Sequence, residues 1–537
     1  MTGEPSPPAG GDHRGTGNLG GIAARWVGSD RIAFVDCTGG DLDDPTLVTH
    51  DELDDRCGRL AAGLAARGLA VGDRVAILAD NSVDYAVAYL GIMRAGQVVV
   101  PLNTRQPVDT LSWVADDAGL TLVLHDGSNA DRLPDGVPAV EFGSSAWVDL
   151  MAGDPTPVAG VDPDDVAVQM YTSGSTGRPK GVLLTHGGQR FSIDQYLSGV
   201  MPMDPDERLL VSAPMYHKNA QMQLKMAMAL GGSVVLLRRF DAEDWLRAID
   251  RHRVTAVTGV PTMFALLLGL LDARPDLDDS LDRSSVRRLS IGSAPMTQAL
   301  FDRARARFGD RVVITNGYGT TEVVAVFGGH PHGAPRPDIS VGHPLTTIET
   351  RLIDPATGDD AAVDRATGRR QGELWVRSPG LMAGYHNLPD VTARRVTDGW
   401  YHTGDVMEAD ADGWHFFIGR VDDMFVCAGE NVYPGDVEQM LERSPAVHQA
   451  AVVPVADELK GALPVAFVVA SAGTDPGTDP SEGDVRDWAL ANGPAYQHPR
   501  AVWFLDELPL AGTAKVDRAA LTAEAARRWE PRSATGG

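Results

Sequence analysis

YTSGSTGRPKG, residues 171–181, holds three glycines, four Ser/Thr hydroxyls, one Arg and one Lys. The hydroxyls of Thr172, Ser173, Ser175 and Thr176 can donate to phosphate oxygens. Backbone N–H groups at Gly174 and Gly177 can approach an anion with no Cβ in the way, and Lys180 adds a point charge. This is chemistry for holding a polyanion; the alternative is a polar hairpin loop that binds nothing. VAVQM (166–170) and GVLLTH (181–186) both read as strands, so the loop closes a hairpin. A G-x-x-x-x-G-K-[ST] phosphate loop runs instead from a strand into a helix. Here Gly181 stands where a Ser or Thr would hold magnesium, so that motif fails on spacing and on context.

The elements that must carry this loop alternate between strand and helix. DRVAILAD (73–80) reads as a buried strand, 82–94 as a helix and GQVVVPLN (96–103) as a strand, a parallel α/β unit. The pattern returns in 231–240 (strand), 241–253 (helix) and 254–261 (strand), and continues through SVRRLSIGSAP (285–295) and RVVITNGYG (311–319). From about 340 to 419, short strands separated by Gly, Asp and Pro indicate a small β-rich subdomain. Beyond GRVDD (419–423), helix 435–445, strands 447–457 and 462–470 and a helix near 484–492 make a small α+β domain. The expectation is an α/β chain in three parts. Residues 1–21 form a disordered tail, residues 22–419 a large domain of stacked mixed and parallel sheets with flanking helices, and residues 420–537 a small mobile domain.

A chain of 537 residues suggests at least two domains. Its formal charge of -26 argues against nucleic acid and against an anionic membrane surface. No apolar run approaches the length of a membrane span, and the N-terminus lacks the blocks of a signal peptide; the expected location is the cytoplasm. Cys37, Cys57 and Cys427 give neither a disulfide framework nor metal-ligand spacing.

Further stretches follow in order: APMYHKNA (213–220), NGYGTTE (316–322), GWYHTGDV (399–406), GRVDDMFVCAGENVYPGDVE (419–438) and LPLAGTAKVDR (508–518). With YTSGSTGRPKG they resemble the ANL superfamily of adenylate-forming enzymes over roughly residues 25–525, and FVCAGENVYPGDVE with MYHKN is most similar to its acyl-CoA synthetase branch. The resemblance implies two half-reactions. A carboxylate attacks the α-phosphate of ATP, and the thiol of coenzyme A then displaces AMP. It implies that loop 171–181 holds the departing phosphates, that Glu322 and Thr172 bind Mg2+, and that Thr321 meets the α-phosphate. Tyr318 would stack on adenine with Gly292, Ser293 and Ala294 on the other face, within a nucleotide site that includes Asn316, Gly317, Gly319 and Thr320. Asp405 and Arg420 would hold the ribose. Lys515 would touch both the α-phosphate and the carboxylate, and His217 would gate the acyl site. Asp422 would be the hinge on which the small domain swings, bringing a thiol path near Ala428 and Gly429 into place.

Two residues depart from the family pattern: Ala514 precedes the lysine where Gly is usual, and Ala428 replaces a second Gly, although Ala tolerates φ > 0 poorly. MYHKNAQ carries no Asp to hold an α-ammonium, which disfavours amino acids. Met222, Met226 and Met228 either line an apolar acyl pocket or belong to a helix core. A medium or large apolar or aromatic acid is expected as the small-molecule partner, and a homodimer is compatible with the sequence. Alternatives are a ligase that performs one half-reaction on a preformed acyl-adenylate, one that loads a carrier-protein thiol, and a non-catalytic binding protein.

Overall fold

A computed structural model of the chain describes residues 17–172, 178–200, 203–294, 296–329, 332–457, 460–471, 480–510 and 516–529. Two seven-stranded sheets dominate. In the first, strands run in the order Val313–Gly317, Arg288–Gly292, Ala256–Gly259, Arg208–Val211, Ser233–Leu236, Ile32–Asp36 and Thr46–Thr49. All neighbours are parallel except the last pair. In the second the order is Gly384–Tyr385, Lys180–Thr185, Val166–Thr172, Val98–Pro101, Arg74–Leu78, Leu120–His125 and Ala139–Glu141.

Side-chain alternation along these strands builds the layers. Phe34, Leu209, Val211, Val234 and Leu236 of the first sheet share one core with Val75, Ile77, Val99, Leu122 and Leu124 of the second. Val35, Leu210, Val235 and Val257 face the opposite way, onto Trp245, Phe264 and Leu267. Ala76, Leu78, Val100 and Val123 face outward onto Leu111 and Val114. The result is helix, sheet, helix, sheet, helix. The helix Val83–Arg94 lies in the middle layer, and all but Asp84 of its residues are buried; that is why VDYAVAYLGIMR is apolar nearly all round rather than along one stripe.

The β-rich subdomain is an antiparallel sheet of Glu349–Ile353, Arg370–Arg377, Trp400–Ala409, Val396–Thr397 and His415–Arg420. Gly384–Tyr385, within the stretch expected to belong to it, instead pairs with Lys180–Thr185 on the edge of the second large sheet. The chain changes sheet between Arg420 and Phe425. The last sheet holds Phe425–Cys427, Glu430–Val432, Val447–Asp457, Gly461–Ala470 and Val502–Phe504, with helices Pro434–Glu442, Glu482–Asn492 and Arg518–Arg528 around its own core.

The expected tail is too long at its C-terminal end; residues 1–16 lie outside the described residues. Leu19–Gly21 is a short 3₁₀ turn, with the Asn18 side chain accepting from the Gly20 N–H at 2.8 Å. Leu19 is 0% exposed, and its N–H donates to His186 Nδ1 at 3.1 Å. A Cβ on Gly20 would lie 2.1 Å from the Arg94 nitrogen, so only glycine fits against the middle helix there. The polar, Gly-rich composition ends at the point where Leu19, Ile22 and Ala23 enter the core. Leu19→Ala should therefore destabilise the large domain by about 2–5 kcal/mol, the range for a large-to-small core change. Urea denaturation would measure this, and a change below about 0.5 kcal/mol would contradict the packing described.

Candidate active site

The hairpin predicted around the glycine-rich loop is present. Val166–Thr172 and Lys180–Thr185 are antiparallel, and Thr172 pairs with Lys180, so the ladder runs up to the loop on both sides. Ser173, Gly174, Ser175, Thr176 and Gly177 lie outside the described residues. Below them, the Tyr171 hydroxyl donates to Asp117 Oδ2 at 2.6 Å and accepts from Gln169 Nε2 at 2.9 Å. The edge strand Gly384–Tyr385 adds a group that sequence reading missed. The Tyr385 hydroxyl donates to Glu322 Oε1 at 2.8 Å, and Lys180 Nζ lies 5.4 Å from the centre of the Tyr385 ring. Burial raises the Tyr385 hydroxyl above the usual phenol range, and Glu322 adds to this, so it stays a donor. Lys180, the ladder partner of Thr172, and Glu322 thus both lie at Tyr385. A two-residue strand is too short for periodicity to reveal it.

A second group forms at the C-terminal ends of Arg288–Gly292 and Val313–Gly317. Gly292 pairs with Gly317, and a Cβ on Gly292 would come within 2.4 Å of the Gly317 carbonyl oxygen. Ser293 follows in the left-handed region, at φ 65°. Ser293, Ala294, Asn316, Gly319 and Thr321 line the cleft beside them. Asn316 is also tied into the fold, its Nδ2 donating to the Ile339 carbonyl at 2.6 Å. The Thr320 N–H donates to the Val323 carbonyl at 2.9 Å, and the Val323 N–H donates back to Thr320 Oγ1 at 3.1 Å. That tight turn sets the positions of Thr321 and Glu322.

Asp405 ties these parts together. It is 4% exposed. Its Oδ2 accepts from the Tyr318 hydroxyl at 2.6 Å and its Oδ1 from Arg420 Nη1 at 2.8 Å. Its N–H donates to Thr403 Oγ1 at 3.0 Å. Burial pushes the Tyr318 hydroxyl well above its ordinary value, and Asp405 pushes it further. Burial pulls Arg420 down, but Asp405, Asp422 and Asp423 outweigh it and hold the guanidinium above its ordinary value. Asp422 lies 3.7 Å from Arg395 and 4.0 Å from Arg420, at the crossing from one sheet to the next.

All of this opens into one cleft of about 1980 Å³, walled by both large sheets, the β-rich subdomain and the small domain. His217 precedes the helix Lys218–Leu230, with its ring 4.6 Å from that of Tyr216. All three methionines are buried in one core, and Met222 and Met226, at 4% and 3% exposed, also line the cleft, so for those two both readings hold. Lys515 and Ala514 lie outside the described residues; Leu508 and Val516, on either side of them in the chain, both line the cleft.

Ala428 and Gly429 form the turn between Phe425–Cys427 and Glu430–Val432, with Cys427 paired to Glu430. Their φ angles are 55° and 90°. Two successive positive φ values are what a two-residue hairpin of right-handed twist requires. The turn is exposed and is not part of the cleft wall. Among the described residues no group of three or more His, Cys, Asp or Glu could hold a metal ion, and no helix is long and apolar enough to cross a membrane. A cation here would rest on one carboxylate, a hydroxyl and oxygens of its ligand.

This cleft can hold a polyanion at the hairpin, a flat ring beside Gly292 and Tyr318, and a diol at Asp405. The AMP-binding enzyme family model matches residues 23–386, and that of the AMP-binding enzyme C-terminal domain matches 436–515. A feruloyl-CoA synthase of an Amycolatopsis species is 36% identical over 492 residues, covering 90% of this chain and 94% of its own. The 4-coumarate–CoA ligase 5 of Oryza sativa subsp. japonica is 31% identical over 518 residues, covering 93% and 92%. The crystal structure of ATP-bound MatB from Rhodopseudomonas palustris superposes with a TM-score of 0.84 at 27% identity, covering 95% of this chain and 99% of that one.

Ala428 yields a prediction independent of the chemistry. A non-glycine residue in the left-handed region costs about 1–2 kcal/mol, partly offset by the entropy a glycine loses on folding, about 0.5–1 kcal/mol. Ala428→Gly should leave the small domain as stable or up to about 1 kcal/mol more stable. A clear loss of thermal stability would contradict the assigned turn.

Proposed function

The chain belongs to the AMP-binding enzymes, the ANL superfamily of adenylate-forming enzymes, and we propose that it is an acid–CoA ligase for aromatic carboxylic acids. A carboxylate oxygen attacks the α-phosphorus of ATP, and pyrophosphate leaves. The sulfur of coenzyme A then attacks the acyl carbon, and AMP leaves. The observation that carries this reading is the Asp405 carboxylate, buried and held by Tyr318 and Arg420, in the same cleft as Thr172, Lys180 and Glu322.

In this reading the hairpin 172–180 holds the β- and γ-phosphates, and Lys180 offsets their charge. The adenine lies on the Tyr318 ring and against Gly292, Ser293 and Ala294, where no side chain rises from Gly292. An ionised Asp405 accepts from the ribose hydroxyls, and Arg420 holds that carboxylate in place. Asn316, Gly317, Gly319 and Thr320 shape the floor, and Thr321 meets the α-phosphate. Thr172 and Glu322 are hard oxygen donors and fit Mg2+, which takes few protein ligands when phosphates supply the rest. When bound, the ion neutralises phosphate charge. Lys515 contributes a cation between the carboxylate and the α-phosphate, two anions whose repulsion opposes the first step. His217 borders the acyl site. Rotation about Asp422 exchanges the Lys515 loop for the turn at Ala428 and Gly429, which lies outside the cleft in this structure, so that one site serves both steps.

The aromatic acyl group follows from the relatives named for feruloyl and 4-coumarate substrates and from the adaptable wall of Met222 and Met226. The wild-type enzyme should release pyrophosphate from ATP and an aromatic acid, and form the thioester once coenzyme A is added. Lys515→Ala should lower acid-dependent pyrophosphate release by about 100-fold or more, the scale for removing one preorganised electrostatic contact, while ATP binding stays within a few-fold. Unchanged adenylation in this variant would remove the role given to Lys515. Pyrophosphate release without thioester formation, or the reverse, would refute the two-step reading.

A further inference from the structure

The helix Lys218–Leu230 begins beside His217 and carries Lys218 and Lys225 about two turns apart on one face. Both ammonium groups donate to one acceptor, the Oε1 of Gln189 on the neighbouring helix His186–Gln195, each at 2.7 Å. Lys225 is 0% exposed and Gln189 1%. Lys218 is half-buried and lines the cleft beside Met222, Gln223 and Met226.

This is an unfavourable arrangement for structure alone. Two lysine amines are drawn onto a single amide oxygen, and neither forms a salt bridge among the described residues. Apolar side chains of similar size would fill the space without desolvating an ammonium group. Burial lowers Lys225 to about 7. Burial and then Lys225 lower Lys218 well below the usual lysine range, with Glu322 acting in the opposite sense. Lys218 is the member of the pair that reaches the cleft, so an acidic oxygen arriving there would supply the missing counter-group and relieve the repulsion.

Building on the ligase reading, we propose that Lys218 is a specificity-determining residue. It donates a hydrogen bond to an acidic oxygen carried by the acyl group, either a ring hydroxyl or a second carboxylate, while Gln189 holds it in position. Met222 and Met226 cover the apolar body of the acid, and Lys218 reads its polar substituent. A site built to bond such an oxygen rejects the analogue lacking it more strongly than an apolar pocket rejects a missing methylene.

The test compares matched acids by kcat/KM for acid-dependent pyrophosphate release: cinnamate with 4-hydroxycinnamate, benzoate with 3-hydroxybenzoate, and hexanoate with adipate. The wild type should prefer the oxygen-bearing member of at least one pair by about tenfold or more. Lys218→Met and Lys218→Gln should reduce that preference to about threefold or less, mainly through KM for the oxygen-bearing acid, while Lys225→Met keeps it. The melting temperature of Lys218→Met should match or exceed the wild type, since one of two amines sharing a single acceptor is gone. Preference within the hydroxyl pairs identifies a phenol, and preference within the adipate pair a second carboxylate; either supports the assignment. Equal turnover within every pair by the wild type, or an unchanged preference in Lys218→Met or Lys218→Gln, overturns it and leaves the ligase reading standing. No turnover of any acid overturns both.

Discussion

A carboxylate buried at Asp405 must be paired, because an isolated ionised group away from water is costly by several kcal/mol. The two partners it finds come from different parts of the fold. Tyr318 follows the last parallel strand of the first large sheet, and Arg420 ends the β-rich subdomain at the crossing to the small domain. One charge requirement therefore holds the first large sheet, through Tyr318, in register with the β-rich sheet, where Asp405 and Arg420 face each other across neighbouring strands. The same atoms that satisfy Asp405 also fix the position of its carboxylate in the cleft.

The layered topology explains why chemistry collects where it does. Gly292, Gly317 and Thr172 all stand at the C-terminal ends of strands with parallel neighbours, the edge at which open α/β sheets present their ligand-binding loops. The antiparallel strand Lys180–Thr185 begins at that same end, with Lys180 beside Thr172, and the added strand Gly384–Tyr385 pairs along it. Because Tyr385 is fixed by that short pairing, its hydroxyl can orient Glu322 without needing a long element of its own.

Much of this was legible in the sequence. Several strands of both large sheets, such as Arg74–Leu78, Val98–Pro101 and Ser233–Leu236, fall within the apolar runs read from the sequence, and strand Val447–Asp457 has the bounds its pattern predicts. The glycine-rich loop was readable as a hairpin from its flanks alone, and Ala428 stood out as a residue ill suited to positive φ, the conformation it adopts. What stayed hidden depends on distant contacts. Leu19 reads as tail because its partners lie far along the chain. Tyr385 occupies a strand too short to have a period. The sharing of Gln189 by Lys218 and Lys225 needs two helices to be packed before it exists. The roles of Asp405 and Arg420 came from resemblance, since an Asp in a TGD turn carries no signal of a ligand by itself.

In the proposed function this cleft joins ATP, an aromatic acid and coenzyme A in two successive displacements. Mass spectrometry of the full-length protein incubated with ATP, coenzyme A and a panel of carboxylic acids tests it directly. Acyl-CoA and AMP are expected in equal amounts, with an aromatic acid among the best substrates. Formation of ADP in place of AMP, or acetate far ahead of every aromatic acid, would contradict it.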